Sequence, residues 1–285
     1  MGKKIKSPNP RTGYDLTRER IAITGALGGI GSAIAQFYMG KGLDAILLDC
    51  DATRLPGTNK TRKDLMEYAK QHSVSAWYYS VDLRDPDQIS KGVKRIADTV
   101  GSIAHLINVA GKPDWEEVKA GFLGSNYDQL VDLFSTNTLG PLQFVREMTP
   151  LIAQDGHPLK TVILISSISG IQCWMNQGGY GASKGALIGF TLSSPGEFAD
   201  YGIKNGGVPI RIFSVLPGTV RAPASDDGRN YDKMTAETST GRLASPWDVA
   251  STCYGASHYL INSTGQILIV DGGQSIQRKR PDQIK

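Results

Sequence analysis

Cysteine is scarce in this chain. Its 285 residues include three, Cys50, Cys173 and Cys253, widely separated and with no CxxC pair. That excludes a disulfide framework and a cysteine-based zinc or redox centre, and implies free thiols in a reducing compartment. No metal-ligand spacing is present, and no metal is expected. Long apolar runs are also missing: none approaches the roughly 18 to 20 residues of a membrane span. The basic start of the chain lacks the apolar stretch of a secretory signal, and position 6 is Lys6 rather than the Ser or Thr of a myristoylation motif. A cytoplasmic, soluble protein with no membrane partner is expected. The formal charge of +4 comes from the ends. Lys3, Lys4, Lys6 and Arg11 precede the body and Arg278, Lys279, Arg280 and Lys285, less Asp282, follow it, leaving the body itself near about −3. Without a basic stripe there, no nucleic-acid partner is expected.

What the chain has instead is alternation. Arg20 to Thr24 reads as a short buried strand, and Gly25-Ala26-Leu27-Gly28-Gly29-Ile30-Gly31 leads straight into the apolar periodicity of Ile34, Ala35, Phe37 and Tyr38. Strand, glycine turn and helix in that order suit a dinucleotide: glycines let the backbone approach a pyrophosphate, and the helix N-terminus offers unpaired N–H groups. The next strand, Ala45 to Leu48, ends in Asp49, at about the 20-residue distance where the fingerprint expects an acid for the ribose hydroxyls. A carboxylate there repels a 2′-phosphate, so NAD is favoured over NADP, with Arg54 the one nearby cation that could accommodate the phosphate.

Further strands follow at Ser75–Val81, running into Asp82-Leu83, at Ala104–Gly111, Thr161–Ile165, Ile210–Val215 and Ile267–Val270, with helices between them. These include Thr61–Gln71, one opened by Pro86, a long region from about Tyr127 to Ala153 carrying Asn137 and interrupted near Gly140-Pro141, and one from Pro246. This spacing predicts an α/β fold: one Rossmann-like, doubly wound parallel sheet of about seven strands, covered on both faces. The expected organisation is a basic tail over 1–19, one domain over 20–275 with a lid at about 219–243, and a basic tail over 276–285.

Tyr180 and Lys184 stand four residues apart at the start of a helix that Ser194-Pro195-Gly196 should break. Their side chains share a helix face. A phenol with a pKa near about 10 is a poor acid–base group at neutral pH, but an adjacent ammonium favours the phenolate. Hydroxyls at Ser166 and Ser167, after the fifth strand, fall where open α/β sheets place their ligands.

Together these residues make the chain resemble the classical short-chain dehydrogenase/reductase family from about Arg20 to Gly273. Thr24 to Gly31 fits the TGxxxGxG turn, Asn108-Val109-Ala110-Gly111 fits NNAG with Val in place of the second Asn, and Tyr180 to Lys184 fits YxxxK. The resemblance implies a catalytic tetrad of Asn137, Ser167, Tyr180 and Lys184, with Ser166 the adjacent alternative. It implies cofactor contacts from Thr24, Gly25, Gly29, Ile30, Gly31, Asp49, Asp82, Leu83, Asn108, Ala110, Gly111, Tyr180, Lys184, Pro217, Gly218, Thr219 and Val220. The substrate pocket should draw on Ser167, Cys173, Trp174, Met175 and Tyr180, with Arg221, Arg229 and Lys233 in the lid.

Four features depart from the family pattern. Val109 replaces an amide, Ala222 stands where a nicotinamide-contacting Thr is common, Pro195-Gly196 interrupts a helix used in family dimers, and Asn205-Gly206-Gly207 should lengthen the loop before strand six. The implied function is an NAD-dependent oxidoreductase interconverting a secondary alcohol and a ketone, assembled as a homo-oligomer, tetramer or dimer. The alternative is a catalytically silent dinucleotide-sensing or scaffold protein on the same fold.

Overall fold

The computed structural model describes residues 19–50, 57–113, 115–172, 175–221 and 230–276. Residues 1–18 and 277–285 of the two expected tails, and Arg54, Cys173, Trp174, Ala222 and Arg229, lie outside the described residues.

Seven strands form one sheet in the order β3-β2-β1-β4-β5-β6-β7: β1 Arg20–Thr24, β2 Asp44–Asp49, β3 Ala76–Ser80, β4 His105–Asn108, β5 Lys160–Ile165, β6 Ile210–Pro217 and β7 Gln266–Val270. All neighbours pair in parallel. The interior strands β1, β4, β5 and β6 are buried throughout, which is why they read as continuous apolar runs rather than alternating ones. The chain winds outward from β1 to β3, then returns to place β4 on the other side of β1. The strand order therefore reverses between β1 and β4, opening a crevice at their carboxyl ends.

One face is covered by α1 (Gly29–Met39), α2 (Thr58–Gln71) and α10 (Pro246–His258), which pack Ile34, Tyr38, Leu65 and Val249 onto Ile21, Ile23 and Phe213. The other is covered by α3 (Pro86–Thr99), α6 (Gly140–Ala153) and α7 (Gly178–Ser193), where Ile96, Phe144, Met148 and Leu187 meet Ala22, Leu106, Val162 and Ile212. Each such fully buried large side chain contributes about 1.5–3 kcal/mol.

Sequence periodicity does not show the short elements α4 (Trp115–Ala120) and α9 (Tyr231–Ala236), the latter within the expected lid. The long helical region is α5 (Tyr127–Phe134) joined to α6 by one wide π-type turn, Ser135–Leu139. Pro195 does break the chain's path, ending α7 and opening α8 (Pro195–Gly206). Asn205-Gly206-Gly207 is not the extended loop that its composition suggests. Asn205 and Gly206 finish α8, and Gly207 at φ 70° caps it in the left-handed conformation. Gly206 is needed there because a Cβ would stand 2.6 Å from Lys160 Nζ and run into the Ala153 carbonyl.

Candidate active site

At the crevice, Thr24 and Asn108 are paired in register across β1 and β4. Thr24 Oγ1 donates to Asn108 Oδ1 and accepts from the N–H groups of Val109 and Ala110, at 3.1 and 3.2 Å. One hydroxyl thus fixes both lips of the opening. Gly25, at φ +62°, lies so close to the β4 turn that a Cβ would stand 2.8 Å from Ala110 N, and a Cβ on Gly31 would run into the Gly25 carbonyl. The glycines therefore allow the turn to fold beneath the N-terminus of α1.

The groove above them has a volume of about 750 Å³. Of the expected cofactor residues, it is lined by Thr24, Gly25, Gly29, Ile30, Gly31 and Asp49, and further along by Asp82, Leu83, Ala110, Gly111 and Val220. Asp49 Oδ2 accepts from Leu27 N–H at 2.9 Å and Oδ1 from Cys50 N–H at 2.9 Å. Burial pushes its pKa up, and these two donors restrain the rise. Asn108 lies beneath the lining, buried against Thr24. Pro217, Gly218 and Thr219 lie behind it: Gly218 N–H donates to Val270 O at 3.0 Å and Thr219 N–H to Gln274 Oε1 at 3.0 Å, so this turn is held by the end of β7 and the chain that follows it.

An open glycine turn at a helix N-terminus, with an anchored carboxylate opposite, fits a dinucleotide cofactor. The sequence reading misses a charged rim to this groove. Arg84 makes a two-pronged contact to Asp82 and reaches Asp132 at 3.0 Å, and Lys112 pairs with the same Asp132.

The expected tetrad is spread over three elements. Asn137 is fully buried within the π-type turn. Its Oδ1 accepts from Lys112 N–H at 2.8 Å, and its Nδ2 donates to Lys112 O at 2.9 Å and Ser183 Oγ at 3.1 Å. Thr138 Oγ1 donates to Ser183 O at 2.9 Å. The wide turn thus latches onto both the β4 loop and α7, an arrangement an unbroken α-helix would rotate out of register.

Ser166 is buried and donates to Lys184 O at 2.8 Å, which commits its hydroxyl to the scaffold. Ser167 is only half-buried, and its Oγ accepts from Ser169 N–H at 3.1 Å, leaving its own proton to donate. These bonds favour Ser167 over Ser166, the choice that its spacing of thirteen positions before Tyr180 also favours.

Lys184 is buried, and its Nζ donates to Ile165 O at 3.0 Å at the end of β5. Burial lowers its pKa to about 8. A Cβ on Gly111 would stand 2.9 Å from Lys184 Nζ and 3.1 Å from Asn137 Oδ1. Because Gly111 lines the groove, a bare glycine is what separates it from these two polar groups. Tyr180 is half-buried one turn earlier on α7.

The sequence reading also misses Glu117. This carboxylate from α4 is buried beside the start of α7, accepting from Gly179 N–H at 2.6 Å and Tyr180 N–H at 3.0 Å. It caps the helix one residue from the phenol, where a negative charge suits the positive end of the helix dipole. Of the expected substrate wall, Cys173 and Trp174 lie outside the described residues, and Met175 is 89% exposed.

A family model for short chain dehydrogenase matches residues 19–232. The chain belongs to that family. Oxidoreductase UcpA of Escherichia coli (strain K12) is 28% identical over 276 residues, covering 92% of this chain and 96% of its own length. The 3-oxoacyl-[acyl-carrier protein] reductase from Brucella melitensis, solved in complex with NAD, has a TM-score of 0.78 at 23% identity, covering 92% of this chain and 98% of that one. ElxO with NADP bound has a TM-score of 0.76 at 23% identity, covering 91% of this chain and 100% of that one. Family membership makes this chain an oxidoreductase of a nicotinamide-using fold. No helix among the described residues is long and apolar enough to cross a membrane.

Proposed function

We propose that the protein is an NAD-dependent oxidoreductase that interconverts a secondary alcohol and a ketone, with Tyr180 as general acid and base. The observation carrying this reading is the placement of Lys184: a buried ammonium, one glycine from the dinucleotide groove, on the helix face that also bears Tyr180. A bound nicotinamide ring would supply the hydride acceptor or donor. In oxidation the substrate hydroxyl gives its proton to the Tyr180 phenolate as the carbon–hydrogen electron pair leaves with hydride and the C=O bond forms. In reduction Tyr180 returns that proton. Lys184 favours the phenolate through its charge, and Ser167 donates a hydrogen bond to the reacting oxygen. Asn137 joins the Lys184 pocket to the Lys112 backbone on the groove's rim.

NAD is preferred because Asp49 presents an anchored carboxylate in the groove and Arg84 is already committed to Asp82 and Asp132. We further propose that a second copy of the chain covers the apolar groove of about 590 Å³ between α6, α7 and α8, lined by Leu142, Phe190, Phe198 and Tyr201. A cytoplasmic location goes with this reading, supported by three widely separated cysteines and no CxxC pair in the sequence.

A panel of alcohols and ketones with NAD and NADH identifies the turnover, and Tyr180→Phe then tests the mechanism. The expected result is a loss of about 10²–10⁴-fold in turnover with cofactor binding retained. Full turnover by the variant overturns the acid–base role and returns the silent dinucleotide-binding alternative. Asp49→Ala should relax the preference toward NADP, and an unchanged NAD/NADP ratio removes Asp49 from cofactor selection.

A further inference from the structure

Three of the chain's four histidines converge on one carboxylate at the amino-terminal edge of the sheet, opposite the groove. Glu19 immediately precedes β1, His105 opens β4, His258 ends α10 and His157 lies in the turn before β5. Nε2 of His105 contacts Glu19 Oε1, Nε2 of His258 stands 3.2 Å from the same oxygen, and Nδ1 of His157 stands 3.6 Å from it. Ligand atoms of Glu19, His105 and His258 all lie within 4.8 Å of one another.

The decisive detail is the proton on His258. Its Nδ1 lies 3.2 Å from the Tyr254 carbonyl oxygen, which can only accept, and 2.7 Å from Ser257 Oγ. The neutral ring therefore carries its proton on Nδ1. That leaves the buried Nε2 a bare lone pair, without a hydrogen-bond partner, facing a carboxylate oxygen. Two acceptors 3.2 Å apart repel unless a cation lies between them. His105 is completely buried, and its Nε2 contacts Glu19 Oε1, which can only accept, so without a metal that nitrogen carries the proton; an ion there would take its place while the partnerless Nδ1 takes up the proton, leaving Nε2 a second lone-pair donor.

We infer that Glu19, His105 and His258 form a binding site for a divalent transition-metal ion, and that zinc is the cation their donors select. Two imidazoles and one carboxylate suit a borderline ion and not calcium or magnesium, which favour oxygen. Donor atoms 2.0–2.2 Å from a zinc ion stand roughly 3.3 Å from one another, close to the 3.2 Å between His258 and Glu19. The outer hydrogen bond from His258 Nδ1 to the Tyr254 carbonyl and Ser257 Oγ is the support that metal-bound imidazoles use. The ion would join the entry to β1, the start of β4 and the end of α10, a structural clamp on the edge of the sheet away from the chemistry. His157 flanks the site, but its Nδ1 is already engaged by the backbone of Leu159, 3.2 Å from its nitrogen and 3.1 Å from its carbonyl oxygen.

The test uses the full-length chain, with any histidine tag removed, stripped by chelator and titrated with Zn²⁺ by calorimetry and with Co²⁺ by visible absorption. One ion per chain is expected, with cobalt d–d bands and an unfolding midpoint raised by about 5 °C when zinc is in hundredfold excess over its Kd. His258→Gln, at a position that leaves the core intact, should weaken binding by more than the roughly 10–100-fold that follows loss of an outer-shell partner. Glu19→Gln should do likewise, and retained cofactor binding confirms that each variant folds. The inference is overturned if wild type binds neither ion stoichiometrically, or if both variants bind zinc with unchanged affinity. It is also overturned if stability responds to pH but not to either metal, because the cation between His258 and Glu19 is then a proton.

Discussion

Strand β5 begins with one buried lysine and ends against another, and the two lead different lives. Lys160 Nζ donates to Ala153 O at 2.6 Å and Gly206 O at 3.5 Å, the carbonyl ends of α6 and α8. A cation at helix C-termini is well placed by both hydrogen bonding and dipole. Lys184 Nζ has one protein hydrogen bond among the described residues, to Ile165 O. Burial lowers the pKa of both. An ammonium has three donors, and what separates Lys160 from the lysine proposed to act in the reaction is how many the protein has already used.

That contrast is open to test. The largest effect should come from Lys184→Met, which keeps the volume and removes the charge: turnover falls by about 10²–10⁴-fold, on the scale of lost acid–base catalysis, while the fold survives. Lys160→Met should do the opposite, costing about 1–3 kcal/mol in urea denaturation by stranding buried carbonyls and leaving turnover per folded molecule unchanged. A Lys160 variant that folds normally and loses turnover would break the comparison.

Glu117→Gln comes next. It weakens the cap on α7 and should cost about 1–2 kcal/mol, with a smaller loss of turnover than Lys184→Met. No change in stability would show that Gly179 and Tyr180 find other acceptors.

The smallest effect is in pH. With Lys184 at about 8 in the folded chain and near 10.4 unfolded, the unfolded state binds more protons across that window. Its contribution therefore makes stability rise with pH there, and below about 8 the cost of a buried charge is fully present. The difference in unfolding free energy between wild type and Lys184→Met, measured at pH 7 and 10, isolates this slope. On the proposed mechanism, ketone reduction should fall as pH rises through about 8, where Lys184 loses its proton.

The strands, the glycine turn and the break at Pro195 are legible in the sequence because each depends on local chemistry: apolar runs, glycine next to a strand, and a ring that cannot donate. An interruption near Gly140-Pro141 is legible too, but its form, a wide turn at Ser135–Leu139, is not, because its registration comes from the bonds Asn137 and Thr138 make to other segments. Asn205-Gly206-Gly207 misleads because glycine marks a helix end as readily as a loop. Glu117 looks like one more surface charge in a short acidic stretch until α7 is folded over it. The histidines at 105, 157 and 258 share no spacing, and only the sheet brings them to Glu19.

Asp49 carries a consequence for anyone redesigning cofactor choice. Its carboxylate does not merely face the groove; it holds the Leu27 N–H and so ties the glycine turn to the end of β2. Charge preference and turn shape are therefore one adjustable parameter. On the proposed reading, a substitution at Asp49 made to admit a 2′-phosphate also frees the Leu27 N–H and with it the glycine turn, so a switch of cofactor calls for a replacement acceptor for Leu27 as well as a new cation.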